Sequence, residues 1–202
     1  MAWVIGGKHF GQYTYEHWFD DYTKTHGDFI MLRDVIVAQL NYNSLVNAEM
    51  NNFIKTLNKE EWDKSLGGYY PSVHSLCSHV YIADFSWVKR FKNLRSFLVL
   101  DDPVFRESYS FSETIFENME EYLSKRPVLD SLLLSFADEI SSDDLCETLK
   151  YTDFRGTPLE RNVGICILHF INHQIHTRGM ISLYLEMLGR ENDFSSFVRY
   201  MK

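Results

Sequence analysis

Thr157-Pro-Leu-Glu-Arg-Asn-Val-Gly-Ile-Cys-Ile-Leu-His169-Phe-Ile-Asn-His173-Gln-Ile-His176-Thr177-Arg-Gly-Met-Ile-Ser-Leu-Tyr-Leu-Glu-Met-Leu188-Gly189 is the clearest helical signal in the chain. A threonine ahead of Pro158, with Glu160 in the first turn, has the form of a capped helix start. Gly189 is a natural stop after Leu188. The stretch predicts a helix of roughly thirty residues, about 45 Å long at 1.5 Å per residue. Val163, Ile167, Phe170, Ile175, Leu183 and Leu188 spread apolar surface around most of its circumference. A helix of that kind lies at the centre of a core, or is shared between a core and a dimer interface.

Working back from it, Leu145 to Thr157 alternates loosely about Thr152-Asp153, and its second half ends at Gly156, which predicts a small β-hairpin. Ser110-Phe-Ser-Glu113 has capping-box spacing and predicts a third helix continuing to about Glu139. Pro127 should bend or split it, because proline lacks an amide donor and crowds the preceding turn. A second helix runs from the Pro71-Ser72 start signal to about Asn93, after a turn at Lys59–Trp62 and a break at Gly67-Gly68. The first spans about Asp28 to Leu57, where Leu32, Ile36, Leu40, Leu45 and Phe53 return near the 3.6-residue period. These four long helices and one hairpin predict an all-α domain over residues 28–202. Residues 1–27 carry Trp3, Phe10, Tyr13, Tyr15, Trp18, Phe19 and Tyr22 without periodicity and read as an aromatic-rich arm packing its rings on the bundle.

With 202 residues and no Pro- or Ser/Gly-rich linker, one domain is expected. The formal charge of -8 argues against sequence-independent nucleic-acid binding, which depends on Lys and Arg neutralising phosphates. Lys89, Arg90, Lys92 and Arg95 read as a solvated helix end. Cys77, Cys146 and Cys166 are odd in number and lack a Cys-x-x-Cys, which fits reduced thiols in a cytoplasmic protein. No apolar run is long enough to span a bilayer, and no leader pattern is visible, so neither secretion nor membrane insertion is expected.

The long helix concentrates His169, His173 and His176 on one face: at about 100° per residue, His169 falls between the other two in projection. His169 and His173, at i and i+4, have the spacing that lets two imidazoles bind one divalent ion. The alternative is a polar seam of hydrogen-bonded histidines. His9, His17, His26 and His74 have no ligand spacing.

Taken with Ser75-Leu-Cys-Ser-His79-Val-Tyr-Ile-Ala-Asp84-Phe-Ser-Trp87 on the second helix, the segment His169-Phe-Ile-Asn-His173-Gln-Ile-His176-Thr177-Arg178-Gly179 resembles the DinB-like (YfiT-like) family over roughly residues 30 to 190. The resemblance implies an antiparallel four-helix bundle, often dimeric, with nickel or zinc held by three histidines. By position the first matches His79 and the second matches His173. The third position, immediately before Arg178-Gly179, is Thr177, and a threonine hydroxyl is a poor ligand beside imidazole. The site is therefore a two-histidine site completed by water or a carboxylate, a site shifted toward His169 or His176, or a site that has lost its ion. Asp84 reads as an inter-helix or surface partner or a group orienting His79, Cys166 as a small buried residue or a soft ligand, Arg178 as a structural cation or an anion holder, and Gly179 as a point of close helix approach.

Two functions follow from the resemblance. One is a divalent-metal-dependent thiol S-transferase, a homodimer acting on a small-molecule thiol and an electrophile, with the ion lowering the thiol pKa. The other is a non-catalytic ligand-binding or stress-associated dimer that has kept the fold and lost the metal. Metal-assisted hydrolysis ranks below both, because no carboxylate can be assigned as its base.

Overall fold

The computed structural model describes residues 31–111 and 114–200. The aromatic arm expected at residues 1–27 lies outside them. In chain order the elements are α1 (Leu32–Ile54), α2 (Lys59–Asp63), α3 (Val73–Arg90), α4 (Met119–Glu139), α5 (Ser142–Cys146), β1 (Thr148–Thr152), β2 (Pro158–Asn162), α6 (Val163–Met187) and α7 (Phe197–Tyr200). Short 3-10 turns at Phe91–Asn93, Leu98–Asp101 and Pro103–Arg106 fill the crossing from α3 to α4.

The long helices α1, α3, α4 and α6 form the bundle, each packing on two others: α1 on α4 and α6, and α3 on α4 and α6. Contacts along the helices give their directions. Arg33 meets Ile140 while Asn47 meets Asp130, so α1 and α4 are antiparallel. His79 meets His173 and Trp87 meets His169, so α3 and α6 are antiparallel as well. Asp84 meets Arg126 and Phe91 meets Phe136, so α3 and α4 run the same way, which is why a long crossover joins them. The all-α bundle with a hairpin ahead of its last long helix is the architecture expected from the sequence.

Several boundaries differ from expectation, each for a local reason. Pro158-Leu-Glu-Arg-Asn162 is not the first turn of the long helix but strand β2, paired antiparallel with β1 from Thr152↔Pro158 to Thr148↔Asn162. Thr157 closes the hairpin turn: Asp153 Oδ1 accepts from the amides of Arg155 and Thr157, and Gly156 takes a φ of 83°. The cap of α6 is Asn162, whose Oδ1 accepts from Ile165 N while its Nδ2 donates to Leu145 O. Gly189 does end the helix: with φ 80°, it lets Arg190 N reach Leu185 O at 2.9 Å in a Schellman closure.

The helix expected from Ser110 starts downstream, since α4 begins at Met119 with Asn118 accepting from Glu121 N at 2.9 Å; the rest of the Ser110–Glu113 signal lies outside the described residues. Pro127 does not split α4, which is continuous through it. Lys59–Asp63 is a short helix rather than a turn, stabilised by a capping box between Asn58 and Glu61. Leu45, expected in the core, is 49% exposed. Gly179 approaches nothing within 4 Å and lies on an outward α6 face with Ile165, Ile175, Leu183 and Met187, all exposed. No helix of the described residues is long and apolar enough to cross a membrane.

Arg95 ties the crossover to α5 through a two-pronged pair with Asp144, Nε to Oδ1 at 2.8 Å and Nη2 to Oδ2 at 2.7 Å. Arg95's hydrogen bond, with the Ser141 contacts, pulls the Asp144 carboxyl down to about 2 from its usual 3.8. A depressed carboxylate contributes stability that is complete above its unfolded pKa and is lost as pH falls through the folded value. Asp144→Asn is therefore expected to cost about 1–2 kcal/mol at pH 5, after allowance for the partly exposed Arg95. In urea titrations the gap between wild type and variant should close between about pH 4 and pH 2; a gap that persists at pH 2 contradicts the assignment.

Candidate functional site

The α3 and α6 backbones bring two imidazoles face to face. His79, a turn and a half into α3, and His173, near the middle of α6, place their Nε2 atoms 2.9 Å apart, with ring centroids at 4.9 Å. Burial pushes both pKa values down to about 4, helped at His79 by His176 and at His173 by its histidine neighbours. Both rings are therefore neutral at pH 7, and each has a lone pair to give. The far nitrogens, His79 Nδ1 and His173 Nδ1, are buried without a hydrogen-bond partner among the described residues.

One wall of the site comes from the loop ahead of α3. Tyr70 stacks on His79 with centroids 4.0 Å apart. The loop is held by Tyr184 of α6, whose hydroxyl accepts from Gly68 N and donates to Tyr70 O, both at 2.9 Å. A Cβ at Gly68 would stand 2.1 Å from that hydroxyl, so the clamp requires glycine. Beside His79 opens a cleft of about 470 Å³ bounded by Tyr69, Tyr70 and Phe111 on its aromatic side and by Ser72, His74 and Ser75 on its polar side. His74 is fixed at its edge, with Nδ1 2.8 Å from Asp63 Oδ1 and Nε2 2.9 Å from Phe116 O.

The other residues expected at the site fall away from it. Thr177 is fully buried, and its hydroxyl donates to His173 O at 2.9 Å, the carbonyl one turn back, which fixes the side chain against its own helix. His169 is exposed and lies against Trp87 at 5.0 Å. His176 is exposed at the helix surface. Asp84 does not orient His79; it is wholly buried and bonded to Arg126 Nη1 at 2.6 Å. Cys166 and Cys77 are buried, and burial raises their thiols to about 11 and about 12, so neither is a thiolate nucleophile at neutral pH. Arg178 is structural, donating to Asn43 Oδ1 at 2.7 Å and lying over Tyr42.

Metal–nitrogen bonds of about 2.0–2.1 Å at a right angle span about 2.9 Å between ligand atoms. The His79 and His173 nitrogens have that separation. The same distance is that of an imidazole–imidazole hydrogen bond, so the pair is close enough to share an ion with right-angle ligands and is satisfied without one. It does not fit the three-histidine centre implied by the resemblance, and no group of three or more His, Cys, Asp or Glu converges among the described residues. Sequence reasoning missed Tyr70, Tyr184 and Phe111. The run Gly67-Gly-Tyr-Tyr-Pro-Ser72 reads as a break and a helix start, and its aromatic pair was the available signal.

Comparison with known proteins follows the same lines. The DinB family profile matches residues 31–202. The protein DinB of Bacillus subtilis (strain 168) is 25% identical over 150 residues, a match covering 73% of this chain and 83% of that protein.

Proposed function

Because this chain belongs to the DinB family, we propose that it is a thiol S-transferase whose reacting centre is the His79–His173 pair and whose electrophile enters the adjoining cleft. The observation that carries this reading is the convergence of two neutral imidazole nitrogens, 2.9 Å apart, at the side of an aromatic-walled cavity. His79 and His173 would hold a divalent ion, nickel or zinc, which when bound lowers the pKa of a thiol and supplies a thiolate at neutral pH.

The remaining work falls to the protein. Tyr70 covers one face of His79, which fixes the ring plane and keeps water from that side. Tyr184 holds Tyr70 through the loop backbone, so the cleft wall and the α6 histidine move as one unit. Tyr69, Tyr70 and Phe111 present ring faces suited to a planar, apolar electrophile. Thr177 favours a second reading, a ligand-binding bundle without an ion, because a buried neutral hydroxyl stands where a third imidazole would be needed.

Metal content by mass spectrometry on tag-free protein, followed by Co²⁺ absorption spectra of wild type and His173→Ala, separates the two. The proposal expects one ion per chain, a cobalt spectrum lost in the variant, and thiol conjugation of a halogenated aromatic that falls at least a hundredfold with it. Protein that binds no ion and shows no conjugation with any cellular thiol leaves only the second reading.

A further inference from the structure

Among the described residues the Arg90 guanidinium has no carboxylate in ion-pair contact. At the last turn of α3 its guanidinium carbon lies 4.4 Å from the Trp87 ring centroid and 5.2 Å from that of Tyr151 on β1. Trp87 packs edge-on to Tyr151 at 5.5 Å and tilts against His169 of α6 at 5.0 Å. The side chain is half-buried, which contradicts its reading as part of a solvated helix end.

Most other arginines satisfy their charge or their donors within the protein, while Arg106 and Arg155 are exposed to solvent. Arg95 pairs with Asp144, Arg126 with Asp84 and Asp130, Arg190 with Glu61, and Arg199 with Glu49. Arg33 donates to the backbone carbonyls of Ile140, Ala137 and Asp138. Arg90 forms no hydrogen bond or ion pair with any described residue. Asp153, the carboxylate nearest in charge, uses its Oδ1 on the amides of Arg155 and Thr157. Both rings lie on one side of the guanidinium, and ring carbons offer no lone pair to its N–H groups.

A partly desolvated charge without a counter-ion is costly, and the usual resolution is a bound group of opposite sign. A planar fork of donors backed by an edge-on aromatic pair matches a carboxylate, which takes two parallel N–H···O bonds. We propose that Arg90, with Trp87, Tyr151 and His169, is a carboxylate-binding site for a small organic acid. The site and the histidine pair both join α3 to α6: His169 precedes His173 by one helical turn, and Arg90 follows His79 by eleven residues, about 16 Å along α3. Resting on the functional reading above, this makes the cosubstrate an acidic thiol, with its sulfur at the pair and its carboxylate at Arg90.

The test is NMR titration of the Trp87 indole N–H, assigned with Trp87→Phe, using succinate, S-methylglutathione and inorganic phosphate as probes. Both carboxylates should shift the resonance saturably. Arg90→Met should abolish the shift, and Arg90→Lys, folded and with an unchanged melting temperature, should weaken binding at least tenfold because it loses the planar fork. His173→Ala should bind succinate as wild type does, so a failed metal reading leaves this result standing. An unmoved indole signal, an unaffected Arg90→Met, or phosphate binding as tightly as succinate overturns the proposal.

Discussion

Arg126→Ala is expected to lower the unfolding free energy by about 3–5 kcal/mol, the cost of leaving buried carboxylates without their cation. Arg126 is 1% exposed and sits between Asp84 of α3, at 2.6 Å from Nη1, and Asp130 of its own helix, whose carboxylate also accepts from Asn47 Nδ2 of α1 at 3.0 Å. Burial pushes the Asp84 carboxyl up to about 6 against the pull of Arg126, so it remains ionised at neutral pH. Without the guanidinium, two acids face each other in the core. Truncating both sides is expected to do less harm: Arg126→Met with Asp84→Leu and Asp130→Leu should recover at least half of the loss, because an apolar replacement removes the desolvation penalty along with the pair. Chemical denaturation at pH 7 measures both. A single variant within 1 kcal/mol of wild type would mean that the network contributes little.

Thr177→His should raise affinity for Ni²⁺ or Zn²⁺ about a hundredfold, or about 2.7 kcal/mol. The position follows His173 by four residues, the spacing at which two helical imidazoles share one ion. The threonine it replaces is fully buried. The ion-free variant is therefore also expected to lose about 1–3 kcal/mol from overpacking, and to regain it when the metal is added. Competition with a chromophoric chelator and melting curves with and without metal give the two halves of this result. Unchanged affinity would show that the cavity no longer points its third position at the pair.

The helices were legible because their apolar residues return at the helical period, and Gly189 was legible because only a left-handed residue closes α6 in this way. The start of α6 was not. Thr157-Pro158 satisfies the local rules for a helix cap, yet Leu149, wholly buried on β1, requires a partner strand, and tertiary pairing overrode the local signal. At the site, His79 and His173 lie side by side across α3 and α6. Helical projection grouped His169 and His176 with them but carries no information on what lies opposite each ring. Trp87 took His169, and solvent took His176. Asp84 and Arg126 lie on different helices, and no spacing in a single sequence reveals such a pairing.

That pairing also bears on how such a protein changes over generations. The polar network that locks α3, α4 and α1 together belongs to the charged Asp84, Arg126 and Asp130 with the Asn47 amide, and none of them is a candidate ligand. The scaffold consequently holds its register through residues separate from the histidine pair. Chemistry in this bundle is free to drift on a frame that selection for foldedness alone would preserve.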